Sequence, residues 1–420
     1  MAVLRTIGAL LAVSLAVACR AHSDNLPESP RQPNTITQTP TLPPQPVPSQ
    51  TSSPTITVTR YATSSQTPTK TSPPTDEPST TPTLPPTQTS APTLTPTATI
   101  TPNPTATSVP TRRRLTTGRC CVRPFWSPDG HEVWFLDRPA VDAVAGIWGV
   151  DVTGGEPVVV TELLGVFSPD ARLVAYPSSD GITHIQQTDG EESWVVPSEG
   201  RSITFSPDGE HIGWQVISSQ NGSYHQRSIE LWLANVDGSD TKKVITVTGG
   251  GIAGWFPNAN RWLVLSSDLS RQNYSLTVLD LESEGEHEIA RAPRLGGASI
   301  SPQGGWVVFQ VTASGDAQHD GLWVVRSDGR DMRKLDVYGS YQWRSEGRLA
   351  IVPLEVAAQS DIQSHRLLEV EVVTGEVRQL TDPTQLGFRI ANGDWAMAPK
   401  GEKFVYVSAD DHNLWLIELP

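Results

Sequence analysis

The sequence predicts an all-β fold, a closed ring of seven blades (a β-propeller) standing behind a long polar linker. Three observations predict it. A short turn motif recurs seven times, in steps of 38 to 54 residues. All 13 tryptophans follow residue 125, within the part that carries the motif. Of the 36 prolines, 21 fall between Leu26 and Arg112, ahead of it. Rings of six or eight blades are the neighbouring alternatives.

The chain opens with Arg5 and a run of 12 apolar residues, Ile7 to Ala18. Crossing a bilayer takes about 20 residues, so this run reads as a leader and not as a span. Leu15-Ala16-Val17-Ala18-Cys19 resembles the lipobox of bacterial lipoproteins. The resemblance implies a signal peptide over 1–18 and a lipidated Cys19 at the new N-terminus. An ordinary cleavage site at Ala16-Val17-Ala18 is the other reading. The expected localisation is extracytoplasmic, with a lipid anchor on the bacterial cell membrane or cell surface.

Residues 19–112 form the expected stalk. From Leu26 to Arg112 they are almost all Thr, Pro and Ser, as in TPTLPPTQTSAPTLTPTATITPNPTATSVP (81–110). Pro removes amide donors and few apolar side chains are on offer, so burial cannot offset the entropy of ordering. A disordered, extended tether follows, with a reach of ~270 Å at ~3.1 Å per residue if it were all polyproline II. It serves as a spacer, and its Thr density also suits O-glycosylation.

Six of the 31 basic and four of the 45 acidic residues precede Arg113. The expected propeller, 113–420, is left with 25 and 41 and a net charge of −16. That balance opposes nucleic-acid binding and binding to anionic lipid, both of which need clustered Lys and Arg. Solubility accounts for the acidity without a partner.

The seven motifs are WSPDGHEVWFL (126–136), FSPDARLVAYP (167–177), FSPDGEHIGWQV (205–216), WFPNANRWLVLS (255–266), ISPQGGWVVFQV (300–311), WRSEGRLAIVP (343–353) and MAPKGEKFVYVS (397–408). Each is a turn followed by a strand. Pro sets φ, Asp caps the turn and Gly accepts positive φ. Alternating stretches such as Glu132 to Phe135 and Lys403 to Tyr406 continue it. A self-similar period of about 40–45 residues with short strands marks propeller blades. Downstream, Ile147-Trp148, Leu231-Trp232, Leu322-Trp323 and Leu414-Trp415 recur. These tryptophans are expected in the core, filling the wedge between blades. Hairpin signals at Thr153-Gly154-Gly155, Asp237-Gly238 and Asp328-Gly329 follow the first three.

Only two strands remain after the seventh turn. The missing outer strand is expected at the other end: Arg113-Arg114-Leu115-Thr116 matches Arg378-Gln379-Leu380-Thr381, which closes the sixth repeat. Such a clasp removes an open sheet edge.

Together the motifs resemble the WD40-like repeat family found in the propeller of TolB and its relatives. Trp126–Gly130 and Phe205–Gly209 are intact copies. The resemblance covers about 113–420 and implies a binding platform; the envelope-complex role of TolB itself is not carried over. In place of the family's α/β domain stands the stalk, and there are seven repeats here rather than six.

No catalytic residue is expected. The nine histidines are dispersed with no helical zinc spacing, and there is no G-x-S-x-G elbow, P-loop or dinucleotide fingerprint. Ser127-Pro128-Asp129-Gly130 lacks the spacing of a sialidase Asp box. Asp237 to Asp240 and Asp316 with Asp320 offer oxygens for Ca²⁺, but hairpin chemistry explains them as well, so no metal and no cofactor is expected. Cys120 and Cys121 are adjacent. A vicinal disulfide, two buried thiols and intermolecular bonds are the three readings, since neighbouring Cα atoms lie ~3.8 Å apart, short of the usual disulfide range.

A ligand is expected at the channel mouth, where loops enter the inner strands. Those loops hold Arg123, Arg201, Arg294, Arg389, Tyr338 and Tyr341. Guanidinium forks grip carboxylates. Solvated arginines scattered round the rim are the competing reading. The sequence therefore reads as a monomeric, non-enzymatic binding or scaffold module on a stalk. Its partner is an envelope or extracellular protein or glycan, and it meets the membrane only through its anchor. The alternative is an extracytoplasmic enzyme acting on glycan or peptide at the channel mouth.

Overall fold

The computed structural model describes residues 110–420 except 139, 141, 191, 219–225, 269–272 and 355–363. The leader, Cys19 and the stalk lie outside the described residues.

The described residues form seven four-stranded antiparallel sheets. Blade 1 runs Val122–Trp126, Glu132–Asp137, Gly146–Asp151 and Val158–Thr161, from the inner strand to the outer. Blade 2 is Val166–Phe167, Leu173–Pro177, Thr183–Gln187 and Ser193–Val196; blade 3 is Ile203–Phe205, His211–Ile217, Ser228–Asn235 and Lys242–Thr248. Blade 4 is Gly251–Trp255, Arg261–Asp268, Asn273–Asp280 and Glu286–Pro293; blade 5 is Leu295–Ile300, Trp306–Val311, Gly321–Arg326 and Arg333–Lys334. Blade 6 is Gly339–Ser345, Arg348–Pro353, Leu368–Glu371 and Val377–Gln379. Blade 7 takes Ile390–Met397, Lys403–Ser408 and Leu414–Glu418 from the C-terminus and Thr111–Arg114 from the other end of the propeller. This clasp pairs Thr111 with Glu418 and Arg114 with Trp415. It starts at Thr111, two residues before the expected boundary, because the pairing continues through Arg112.

The turn motif explains how inner and second strands join. In blade 1 the Ser127 hydroxyl donates to Asp129 Oδ1 (2.7 Å), and the same oxygen accepts the His131 amide (3.0 Å). The Glu132 amide donates back to Ser127 Oγ (2.9 Å). Gly130 takes φ 72°, as the turn requires. Blade 3 repeats this with Ser206 and Asp208. These hydroxyls and carboxylates are committed to turns, which is a structural use.

The core lies between blades. Six clusters of buried residues each join two neighbours; blades 4 and 5, for example, share Phe256, Leu263, Val307 and Phe309. Between blades 1 and 2 stand Phe125, Trp134 and Phe167, with centroids 5.4–6.1 Å apart. One expectation is corrected here. Trp148, Trp232, Trp323 and Trp415 pack against clusters but are only half-buried. The buried indoles of Trp134, Trp214, Trp262 and Trp306 sit on second strands, just after the turn motif. Blades splay outward, so the second strand lies deeper than the third.

Candidate functional site

The connectivity sorts the loops onto two faces. Turn motifs and the links from third to outer strands lie on one, the turn face. The starts of the inner strands and the links from second to third strands lie on the other, the mouth face. Near the mouth face the inner strands are irregular. Register shifts separate Val122 from Phe125, Ile252 from Gly254, Gly296 from Ser299 and Ile390 from Trp395. Such bulges re-aim side chains and interrupt pairing. Arg123, Gly297 and Asn392 have left-handed φ of 53°, 60° and 54° within them.

The structure spreads the six expected mouth residues over five blades. Arg123 is exposed on the blade 1 bulge. Beside it, Asp394 of blade 7 is half-buried; desolvation raises its pKa, against the pull of the Arg123 amide and guanidinium. Arg201 of blade 3 is paired with Glu199 (2.8 Å), and Arg389 of blade 7 with Asp410 (2.9 Å). Arg294, before blade 5, is exposed at φ 50°. The guanidiniums therefore stand apart on four blades, and acidic neighbours meet three of them. The two tyrosines of blade 6 divide in role. Tyr341 donates its hydroxyl to the Gly297 carbonyl of the blade 5 bulge, and burial pushes its phenol pKa up. Tyr338 is half-buried and faces open space.

That space is a cavity of about 590 Å³ between blades 5 and 6. Val311, Leu335 and Val337 form apolar wall; Asp320, Lys334, Asp336 and Tyr338 supply polar groups. Asp320 accepts the Ser314 amide (2.8 Å), and the Ser314 hydroxyl and amide together hold its pKa below the usual carboxylate value. Lys334 Nζ donates to the carbonyls of Gln318 (2.9 Å) and Ala317 (3.4 Å). Tyr338's pKa is raised by burial and by the Asp320 charge, so its hydroxyl stays a donor. Sequence reasoning found Tyr338, weighed Asp320 only as a calcium ligand, and missed Lys334 and Asp336. With Tyr338 these three lie up to 18 residues apart in sequence on two segments, one at Asp320 and one over 334–338, and no spacing links them.

Among the described residues, one group of three could hold a metal: Asp208, Glu210 and His211, with ligand atoms within 4.8 Å of one another. It belongs to the blade 3 turn, on the turn face, and Asp208 already accepts from Ser206 and Glu210. Asp237 accepts the Ser239 amide (2.8 Å), and Asp316 accepts the Gln318 amide (2.8 Å) and engages His319 Nδ1 (2.7 Å). These carboxylates serve hairpins.

Cys120 and Cys121 lie at the mouth between clasp and blade 1. Their sulfurs are at bonding distance and their Cα atoms 3.6 Å apart. Thr116 Oγ1 is 2.9 Å from Cys120 Sγ.

No protein-family model matches the chain, nor does any curated protein sequence. Solved structures do. An oligogalacturonate lyase in complex with manganese matches at 13% identity and TM-score 0.51, over 74% of this chain and 93% of that one. An oligogalacturonate lyase from Vibrio parahaemolyticus matches at 11% identity and TM-score 0.51, over 75% and 96%. TolB from Acinetobacter baumannii matches at 15% identity and TM-score 0.38, over 66% and 76%. At these identities the lyase likeness is one of fold.

Proposed function

We propose that this chain is a binding module displayed outside the cytoplasm, a propeller held on a stalk and anchored through a lipid on Cys19. The observation that carries this reading is the cavity on the mouth face. It sets two carboxylates, an ammonium and a phenol over apolar wall, so it offers both donors and acceptors to a polar partner. The Ser and Asp groups of the intact motifs, by contrast, are consumed within turns on the opposite face. The partner is an envelope or extracellular protein or glycan, met by a monomeric propeller. Loop-borne polar groups on a rigid ring are how scaffolds of this kind recognise partners.

The test uses the full chain as bait against envelope and culture-supernatant fractions, with mass spectrometry of bound protein and glycan. A partner retained unchanged supports the reading, and Asp320→Ala with Tyr338→Ala should weaken its capture on the order of tenfold or more, as loss of contacts worth about 1.4 kcal/mol or more does. Incubation with oligogalacturonate, with and without manganese, tests the enzymatic alternative. A shortened polymer would replace the binding module with an enzyme.

A further inference from the structure

We propose that Cys120 and Cys121 form a redox-sensitive latch: as a vicinal disulfide they hold the crossing from clasp to blade 1 against blade 7, and an external dithiol releases it. Residues 115–121 carry the chain from the outer strand of blade 7 to the inner strand of blade 1, so they span the seam where the ring closes. Several bonds tie this segment to blade 7. The Leu115 amide donates to Leu414 O (2.8 Å), and Thr116 Oγ1 accepts the Leu414 amide (2.9 Å). The Arg119 amide donates to Asn413 Oδ1 (3.2 Å) and the Cys120 amide to His412 O (2.9 Å). On the blade 1 side the Cys121 amide favours the charged form of the Asp137 carboxyl, against the larger effect of burial.

The backbone here is unusual. Gly118, Arg119, Cys121 and Arg123 have φ of 92°, 64°, 83° and 53°. Three of these are not glycine, and a residue with a Cβ avoids this region unless its surroundings impose it. The small ring closed by adjacent cysteines is such a constraint, and the φ of Cys121 lies within it. Opening the ring frees Cys121 to leave the left-handed region, which loosens the adjoining amides of Arg119 and Cys120 from Asn413 and His412.

The chemistry balances without a further reactant. A thiolate of the dithiol attacks Cys120 Sγ, the more accessible sulfur, because Cys121 is buried. The sulfur–sulfur bond breaks and Cys121 leaves with the electron pair. It takes up a proton, as a thiol among Leu115, Val133 and Phe135 should. The second thiol of the reductant then displaces Cys120. Two electrons and two protons pass to the protein, and the dithiol becomes a disulfide.

The test compares the full chain, carrying Cys19→Ala so that Cys120 and Cys121 are its only cysteines, with and without dithiothreitol. Mass spectrometry of the peptide holding Cys120 and Cys121 reports its state. Limited trypsin digestion reports the latch, as the rate of cleavage after Arg119 relative to that after Lys70. Cleavage after Arg119 should be about tenfold faster in the reduced protein, since local opening limits it. Cys120→Ser with Cys121→Ser should be cut at that faster rate whether or not dithiol is present. Equal rates in oxidised and reduced protein overturn the latch. So does a peptide that stays as two thiols after oxidation. If the double variant fails to fold, the comparison of the two redox states decides alone.

Discussion

A carboxylate reaching across from blade 6 repairs the defective turn of blade 5. There Ser301-Pro302-Gln303-Gly304 has Gln where the intact motif has Asp. Glu346 Oε1 accepts the Ser301 hydroxyl (2.9 Å) and the Gly305 amide (3.1 Å), and Oε2 accepts the Gln303 amide (2.8 Å). A Cβ on Gly305 would lie 2.5 Å from that oxygen, so the glycine leaves room for it. Hydrogen bonds to a charged group are worth about 1.5–3 kcal/mol each, less where water competes. Glu346→Gln should therefore cost about 1–2 kcal/mol, measured by denaturant unfolding. Gln303→Asp should recover part of that loss when combined with Glu346→Gln. Alone, with Glu346 retained, it should be unfavourable, because two carboxylates would meet; a double-mutant cycle reads the coupling.

At the scale of elements, closure depends on a short strand. Thr111–Arg114 is only four residues long, and Arg113 pairs with Glu418 at 3.5 Å between partly exposed side chains, a contact of little weight. Arg112 lies 4.7 Å over the Trp415 ring. The stronger hold comes from Leu115, buried with Val133, Phe135, Val405 and Leu416 of blades 1 and 7. Leu115→Ala should lower stability by about 2–5 kcal/mol, the range for truncating a buried leucine. Thermal melting checks it, and a change below about 1 kcal/mol, on the order of surface substitutions, would mean that the clasp is dispensable.

For the whole molecule, the carboxyls set an acid limit. Asp129 lies below the ordinary 3.8 through the His131 amide and Ser127 hydroxyl; Asp170 and Asp208 lie below it despite burial, through Ser168 and Ser206. A depressed folded pKa stabilises fully above 3.8, and that contribution is lost as pH falls through the lower folded values. Asp137 and Asp394 act in the opposite sense. Burial raises them, so their cost at neutral pH is relieved as they protonate. Stability should thus be greatest between 3.8 and neutrality and fall below 3.8. At the alkaline end, burial pushes Tyr406 up to about 12, so its contribution is lost as pH rises above 10. Melts from about pH 3 to 11 test both limbs.

The fold was legible because its signals are local. Ser-Pro-Asp-Gly is a turn that completes itself within a few residues, the strand after it alternates, and the repeat sets the count of seven. Even the clasp could be read, since Arg113-Arg114-Leu115-Thr116 echoes Arg378-Gln379-Leu380-Thr381. The candidate site was legible only in part. The loops that meet at the mouth follow from the order of strands, but the pairing of Arg201 with Glu199 and Arg389 with Asp410, and the use of Tyr341 to hold Gly297, depend on side chains meeting in space. So do the depth of Trp262 against the half-burial of Trp232, and the reach of Glu346 across 43 residues to Gln303. The sequence by itself determined the ring, its repeat and its closure, because blades 1 to 6 are each specified by contacts within about 45 residues and the clasp repeats the closing Arg-x-Leu-Thr of the sixth. The tertiary structure alone decided which polar groups remain open to a partner, because loops and neighbouring blades bring together side chains that no sequence spacing marks.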